Sequence, residues 1–358
     1  MDYRKSLKEI FEFEHPEELC QFEWGYWPET VSRWKREGMP EDMEPWQAVG
    51  ITQYHRAPAK PRLYPPFEEQ ELYEDGEKRV IRDENGIIKE VFKDNTVFPH
   101  FIEHPVTTMR DFEALMERMN PKSPGRLPEN WEAEAAKLSE RNSILVMGRT
   151  EISFFGWPRD LMGLENLLTA YYDKPELIHA INRQHADFLE SFYSELLADV
   201  EFDFIFMWED MCYKNGPLIS PALFREFMLP YYIEVISFFK GIRDNKVLVD
   251  SDGNVSQLIP LFIEAGVDGI LPFEVAADMD IRKIRTDFPH LIIAGGLDKR
   301  EIAKGRKAID RELEEKLPFM FKQGGYLPGL DHHVPPEVSY EDFQYYLQRT
   351  GEIYKTHR

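Results

Sequence analysis

From residue 143 onward the chain repeats one pattern: a short apolar run, then a longer amphipathic segment. The runs are SILVMG (143–148), FDFIFMW (202–208), KVLVD (246–250), GVDGILPFE (266–274), LIIAGG (291–296) and GGYLPG (324–329). Helical periodicity fills the intervals near 160–170, 174–198, 221–241, 255–264, 280–287, 306–323 and 339–356. In the 255–264 segment Val255, Leu258, Ile259, Phe262 and Ile263 share one face, and Gly266 stands where a helix cap is needed. Near-continuous apolar strands alternating with helices predict a parallel sheet covered on both faces.

Two architectures meet that requirement, an open doubly wound sheet and a closed (β/α)8 barrel. No Gly-x-Gly-x-x-Gly follows any run, and no phosphate loop occurs. Six strand–helix units after residue 140, with one or two before it, fit the barrel better. The expected fold is therefore α/β, a (β/α)8 TIM-type barrel forming one domain over 1–358. Residues 1–140 would supply an N-terminal arm, an insertion and the first barrel elements. Residues 141–358 would supply the core repeats. The early region is irregular and aromatic-rich, as in FEWGYWPETVSRW (22–34). Within it, KRVIRDENGIIKEVFK (78–93) reads as a β-hairpin turning at Asn85-Gly86, a small insertion.

Composition narrows the function. A net charge of −22 repels phosphate backbones, so nucleic acid is not an expected partner. No apolar run reaches the roughly 18 residues of a membrane span, and the N-terminus has no apolar signal core. Two isolated cysteines, Cys20 and Cys212, make neither a disulfide framework nor a thiolate metal cluster. A cytoplasmic location is expected.

Polar groups follow the apolar runs in order: Arg149 and Glu151, then Glu209 and Asp210, Asp250 and Asp252, Glu274, Asp298, and last Asp331, His332 and His333. In a barrel these converge on one rim. Carboxylates and imidazoles gathered there would bind a divalent metal such as Zn, Mn or Fe, or serve as acid–base groups with displaced pKa values. Each also has a plainer reading. Asp252-Gly253 is a turn signal, with Ser251, Asp252 or Asn254 available to cap the next helix. Glu209-Asp210 reads as solvated loop charge, and His332-His333 as a hydrogen-bonded structural pair.

Four stretches, NGPLISPALFREFMLPYY (215–232), VLVDSDGNVSQLIPLFIEAGVDGILPFE (247–274), IIAGGLDKREIAKG (293–305) and GGYLPGLDHHVPPEVSYEDFQYYL (324–347), together resemble the uroporphyrinogen decarboxylase superfamily. That superfamily includes cobalamin-linked methyltransferases, and the resemblance lies closer to that methyltransferase-like branch than to the decarboxylase itself. It implies a barrel with its site at the C-terminal strand ends. In the methyltransferase branch a strand-end His-x-Cys-Gly-Asn and a later Cys hold zinc. Here the same frame is Asp250-Ser251-Asp252-Gly253-Asn254, and the later position falls in Gly329-Leu330-Asp331-His332-His333. Oxygen donors replace sulfur. Glu274 stands where those enzymes place an acidic ligand. The decarboxylase pattern Arg-x-x-Gly-Arg-Tyr-Leu-Pro-Glu has its nearest match in Glu23-Trp24-Gly25-Tyr26-Trp27-Pro28-Glu29, without either arginine. His332 is the group shared with that chemistry.

The resemblance implies methyl transfer from a small methylated substrate to a corrinoid on a partner protein or to a thiol. Asp250, Asp252, Glu274, His332 and Glu209 are the expected catalytic residues, the first four also as metal ligands. Arg149, Glu151, Trp24, Tyr26 and Trp27 are expected to bind substrate. Decarboxylation of uroporphyrinogen or a smaller acid, with Arg56, Arg149 and Arg159 as cations, is the alternative. A metal-assisted hydrolase and a non-catalytic binding barrel remain further readings. A homodimer is expected from the resemblance alone.

Overall fold

The computed structural model describes residues 2–92 and 99–358. Seven parallel strands lie side by side in chain order: β1 (Tyr54–Arg56), β2 (Ile144–Met147), β3 (Phe204–Trp208), β4 (Val247–Asp250), β5 (Gly269–Leu271), β6 (Ile292–Ala294) and β7 (Tyr326–Leu327). All six apolar runs therefore became strands. Helices cover the outside, including Pro175–Asp199, Arg306–Gln323 and Tyr340–His357.

The gap between β1 and β7 is filled by residues 21–26. The Thr52 amide donates to Gln21 O at 3.3 Å on one side. On the other, the Val334 amide donates to Gly25 O at 2.9 Å, and the Leu330 amide donates to the Glu23 carboxyl at 3.1 Å. The aromatic N-terminal stretch is thus a stave of the wall as well as an extension.

Side chains alternate across each strand, and the two sets form two separate cores. Leu145, Met147, Ile205, Met207, Val247, Val249, Ile270 and Ile293 face the helices. Ile144, Val146, Phe204, Phe206, Leu248, Leu271, Ile292, Ala294 and Leu327 face the barrel axis with Phe22 and Trp24. The helix Tyr3–Phe11 closes the N-terminal end, adding Leu7, Ile10 and Phe11 to the inner core. Arg4 ties it to Asp203, just ahead of β3, at 2.9 Å.

Between β1 and β2 the chain forms a four-stranded antiparallel sheet: Gln70–Glu74, Lys78–Arg82, Ile88–Phe92 and His100–Glu103. The hairpin turn falls at Asn85-Gly86 as expected, with Gly86 at φ +82°. Lys93, the last residue of the expected hairpin, lies outside the described residues. The two outer strands have no apolar alternation to betray them, because both of their faces are exposed. No helix among the described residues is long and apolar enough to cross a membrane.

Glu23 is buried in the wall, bonded by the Leu330 amide and by the Tyr346 hydroxyl at 3.1 Å. Burial pushes its pKa up from 4.5 to about 8, against those two bonds. The native state therefore holds this proton between about pH 4.5 and 8 where the unfolded chain has lost it, so stability falls as pH rises through that window. Glu23→Gln is expected to remove this decline, by no more than about 5 kcal/mol, in urea unfolding compared at pH 5 and pH 8.

Candidate active site

Two hollows among the described residues lie at opposite ends of the barrel. The larger, about 880 Å³, lies at the N-terminal end between the Tyr3–Phe11 helix and the loops before β2, β3 and β4. The smaller, about 320 Å³, opens at the C-terminal strand ends and is lined by Arg159, Asp210, Tyr213, Asp252 and Glu274 among others. Barrel chemistry belongs to the C-terminal end, and two of the sequence-expected catalytic carboxylates, Asp252 and Glu274, line the smaller hollow.

Asp250 ends β4 with the same parity as Leu248, so it faces the barrel axis above the inner core. Its partners in register are Trp208 and Leu271. Among the described residues nothing donates a hydrogen bond to its carboxyl. Desolvation by the barrel wall raises its pKa well above the usual carboxylate value, and Asp252 and Asp210 add to this while Arg149 opposes it. Like charges this close to an enclosed carboxyl favour its neutral form, which disposes Asp250 to hold its proton.

The turn after it explains the Asp-Ser-Asp-Gly-Asn spacing. Gly253 sits at φ +75°, and a Cβ there would come within 2.7 Å of Tyr213 O, so only glycine fits. The Asn254 side chain accepts from the Ser256 amide at 3.2 Å and donates to Ala277 O at 3.1 Å. Asn254 thus does the turn's capping, which leaves Asp252 free to pair with His332 at 3.3 Å. That bond raises the His332 pKa above its ordinary value. Trp27 stacks on the His332 ring at 6.2 Å and 13°. His333 packs over Gly25, where a Cβ would meet its ring at 2.8 Å. Burial and the neighbouring His332 lower the His333 pKa to about 4.

The opposite wall holds a cation that the sequence reading passed over. Lys299 Nζ lies 3.6 Å from Glu274 and 3.6 Å from Asp331. Glu274 also accepts from the Gly253 amide at 3.0 Å. Asp331 accepts from the amides of Val275 at 3.0 Å and Lys299 at 3.2 Å. These contacts test the metal expectation. Asp252 is taken by an imidazole, Glu274 by an amide and an ammonium, and among the described residues no three His, Cys, Asp or Glu side chains gather in metal-binding geometry. The residues do not fit a metal centre.

The arginines stand on the β2–β3 side. Arg159 lies over the Trp208 ring at 4.9 Å and is held by Asp210, to its carbonyl at 2.8 Å and its carboxyl at 3.1 Å. Arg149 lies over the same ring at 5.6 Å. It is exposed, its charge is felt by Asp250, and among the described residues no carboxylate pairs with it.

Four expectations are corrected. Glu209 is fully buried and accepts from the amides of Phe154 at 2.8 Å, Phe155 at 2.7 Å and Gly156 at 2.9 Å, and from the Tyr232 hydroxyl. Its lone pairs are used by the fold, so it is an anchor for the turn after β2 and not a catalytic group. Tyr26 packs outward against Trp34 at 5.5 Å and Phe343 at 6.0 Å, away from the hollow. Glu151 is buried and faces Arg62 at 3.9 Å, not the hollow. Trp24 stacks on Phe206 at 5.8 Å inside the barrel, below Asp250.

Residues 88–352 match the family described as uroporphyrinogen decarboxylase (URO-D). No curated protein matches the chain. Among solved structures, a methyltransferase from Methanosarcina mazei superposes with a TM-score of 0.61 at 13% identity, over 99% of each chain. At that identity the likeness is one of fold.

Glu209→Ala would strand three buried amides and a hydroxyl. It is expected to cost about 3–5 kcal/mol in urea unfolding. Asp250→Asn, which copies the neutral acid, is expected to leave stability at pH 8 equal or higher.

Proposed function

Because the chain belongs to the uroporphyrinogen decarboxylase (URO-D) family, we propose that it is an enzyme of that family's methyltransferase-like branch. It would take a methyl group from a small methylated acid, with Asp250 as general acid. The supporting observation is the Asp250 carboxyl: on the barrel axis, without a hydrogen-bond donor among the described residues, and with surroundings that raise its pKa well above the usual carboxylate value. When a methyl group leaves oxygen or nitrogen, the heteroatom departs with the bonding electron pair. A positioned acid that protonates it contributes roughly 10²–10⁴ in rate. Asp252 and His332 form a second proton-bearing pair beside it. Arg149, spread over Trp208 and without a carboxylate partner, would hold the substrate's anionic group. Trp27, stacked on His332, would form the neighbouring wall.

The hollow of about 320 Å³ is at the small end of ligand sites. It suits a compact substrate. The acceptor in this reading is a thiol, or a corrinoid that stays on its own carrier protein. No step in it runs through a metal held by this chain.

Arg149 and Arg159 support a second reading, decarboxylation of a small acid with Asp250 protonating the carbanion. One unpaired guanidinium beside a small hollow is poorly matched to a tetrapyrrole with eight carboxylates.

The test is incubation with a panel of methoxylated and N-methylated carboxylic acids, with cob(I)alamin or a small thiol as acceptor. Demethylated product and methylated acceptor are expected in equal amounts. Release of carbon dioxide without methylated acceptor would replace the first reading by the second. Asp250→Asn is expected to lower kcat/KM by at least about 100-fold. Arg149→Ala is expected to raise KM roughly tenfold to a hundredfold with a smaller change in kcat. Since the donor must be protonated, kcat/KM should be flat at low pH. It should fall as pH rises through the Asp250 pKa, above the ordinary carboxylate range.

A further inference from the structure

We propose that Lys299 is the cation of this rim, a positioning residue that holds Glu274 and Asp331 in the arrangement a divalent ion would otherwise have to enforce. Its ammonium stands 3.6 Å from a carboxylate oxygen of each. Both ends of the residue act on Asp331, since the Lys299 amide also donates to it at 3.2 Å. Asp331 is 1% exposed, so a charge left there without a partner would be costly.

The contacts run from strand end to strand end. Gly253 after β4 donates to Glu274 after β5 at 3.0 Å. Glu274 meets Lys299 after β6, and Lys299 meets Asp331 after β7. His332, next to Asp331, returns the circuit to Asp252 after β4 at 3.3 Å. Four consecutive strand ends are thereby linked, and Lys299 is the positive member between the two carboxylates. The β4 turn that follows Asp250 hangs on this circuit through Gly253. An ammonium at this place fills the electrostatic role of a metal with a charge the chain carries itself. It also excludes a divalent ion by repulsion and by occupying the space. Removing it leaves two carboxylates that already reach toward a common point.

The experiment is calorimetric titration of the full chain with Mn²⁺ and with Zn²⁺, with elemental analysis after dialysis. It needs no substrate, so it stands or falls apart from the methyl-transfer assay. Wild type and Lys299→Arg are expected to bind no stoichiometric ion at the rim. Lys299→Ala is expected to bind one ion at least tenfold more tightly than wild type, and adding Glu274→Gln should abolish the gain. Circular dichroism checks the fold, and Lys299→Gln, which keeps the side-chain length, replaces the alanine variant if that one unfolds. Lys299→Arg retaining wild-type turnover on whichever substrate the enzyme accepts, where Lys299→Gln loses it, would separate a charge role from simple packing. Stoichiometric metal in wild type that Glu274→Gln removes would overturn the proposal. Equal affinity in wild type and Lys299→Ala would also do so.

Discussion

The parity of β4 sets the chemistry of the rim. In a curled parallel sheet every second side chain faces the axis, and Leu248 is fixed there by the inner core. Asp250, two residues on, has no choice but to follow it inward. A carboxyl placed on the axis of a barrel is desolvated by the wall around it. Among the described residues no backbone amide reaches it, because the strand's own amides point sideways into the ladder with β3 and β5. The same geometry that orders the core therefore creates an unpaired acid at its upper edge. Asp252 and Asp210 then bias that acid toward its neutral form.

Among the described residues, the other carboxylates at these strand ends have partners and Asp250 is left over. Asp252 has His332, Asp210 has Arg159, and Glu274 and Asp331 share Lys299. Glu209 has three amides and a hydroxyl. On the positive side Arg149 is the counterpart, resting on Trp208 without a carboxylate partner among the described residues. In the proposed reading, this acid and this cation at the C-terminal strand ends would suit a molecule that brings an anionic group and accepts a proton.

Much of this was legible in the residues. The six apolar runs became strands in order, and the helix expected over 306–323 has those bounds, Arg306–Gln323. The rim position of Asp250, Asp252, Glu274 and His332 follows from each coming directly after a run. What was not legible is which of these groups has a partner. Glu209 and Asp250 both follow apolar strands and look alike in sequence. The difference lies in the backbone amides of residues 154–156, which approach from another strand's loop. Lys299 left a faint signal, since a lysine at the first position of a helix opposes the local dipole and implies a carboxylate nearby. Tyr26 misled because Gly25 interrupts the alternation of Phe22 and Trp24, sending the next ring to the outer core.

By itself the sequence determined the alternation of strands and helices, and with it the barrel and the rim. These follow from hydrophobic periodicity, which is local and written in the chain. The state of the rim was decided only by the tertiary structure. Whether a carboxylate is an anchor, one of an ion pair or a free acid depends on which donors arrive from distant segments and how much water is excluded. Lys299 and Asp331 are 32 positions apart, and Glu209 and Phe154 are 55 apart, so no local pattern records the meeting.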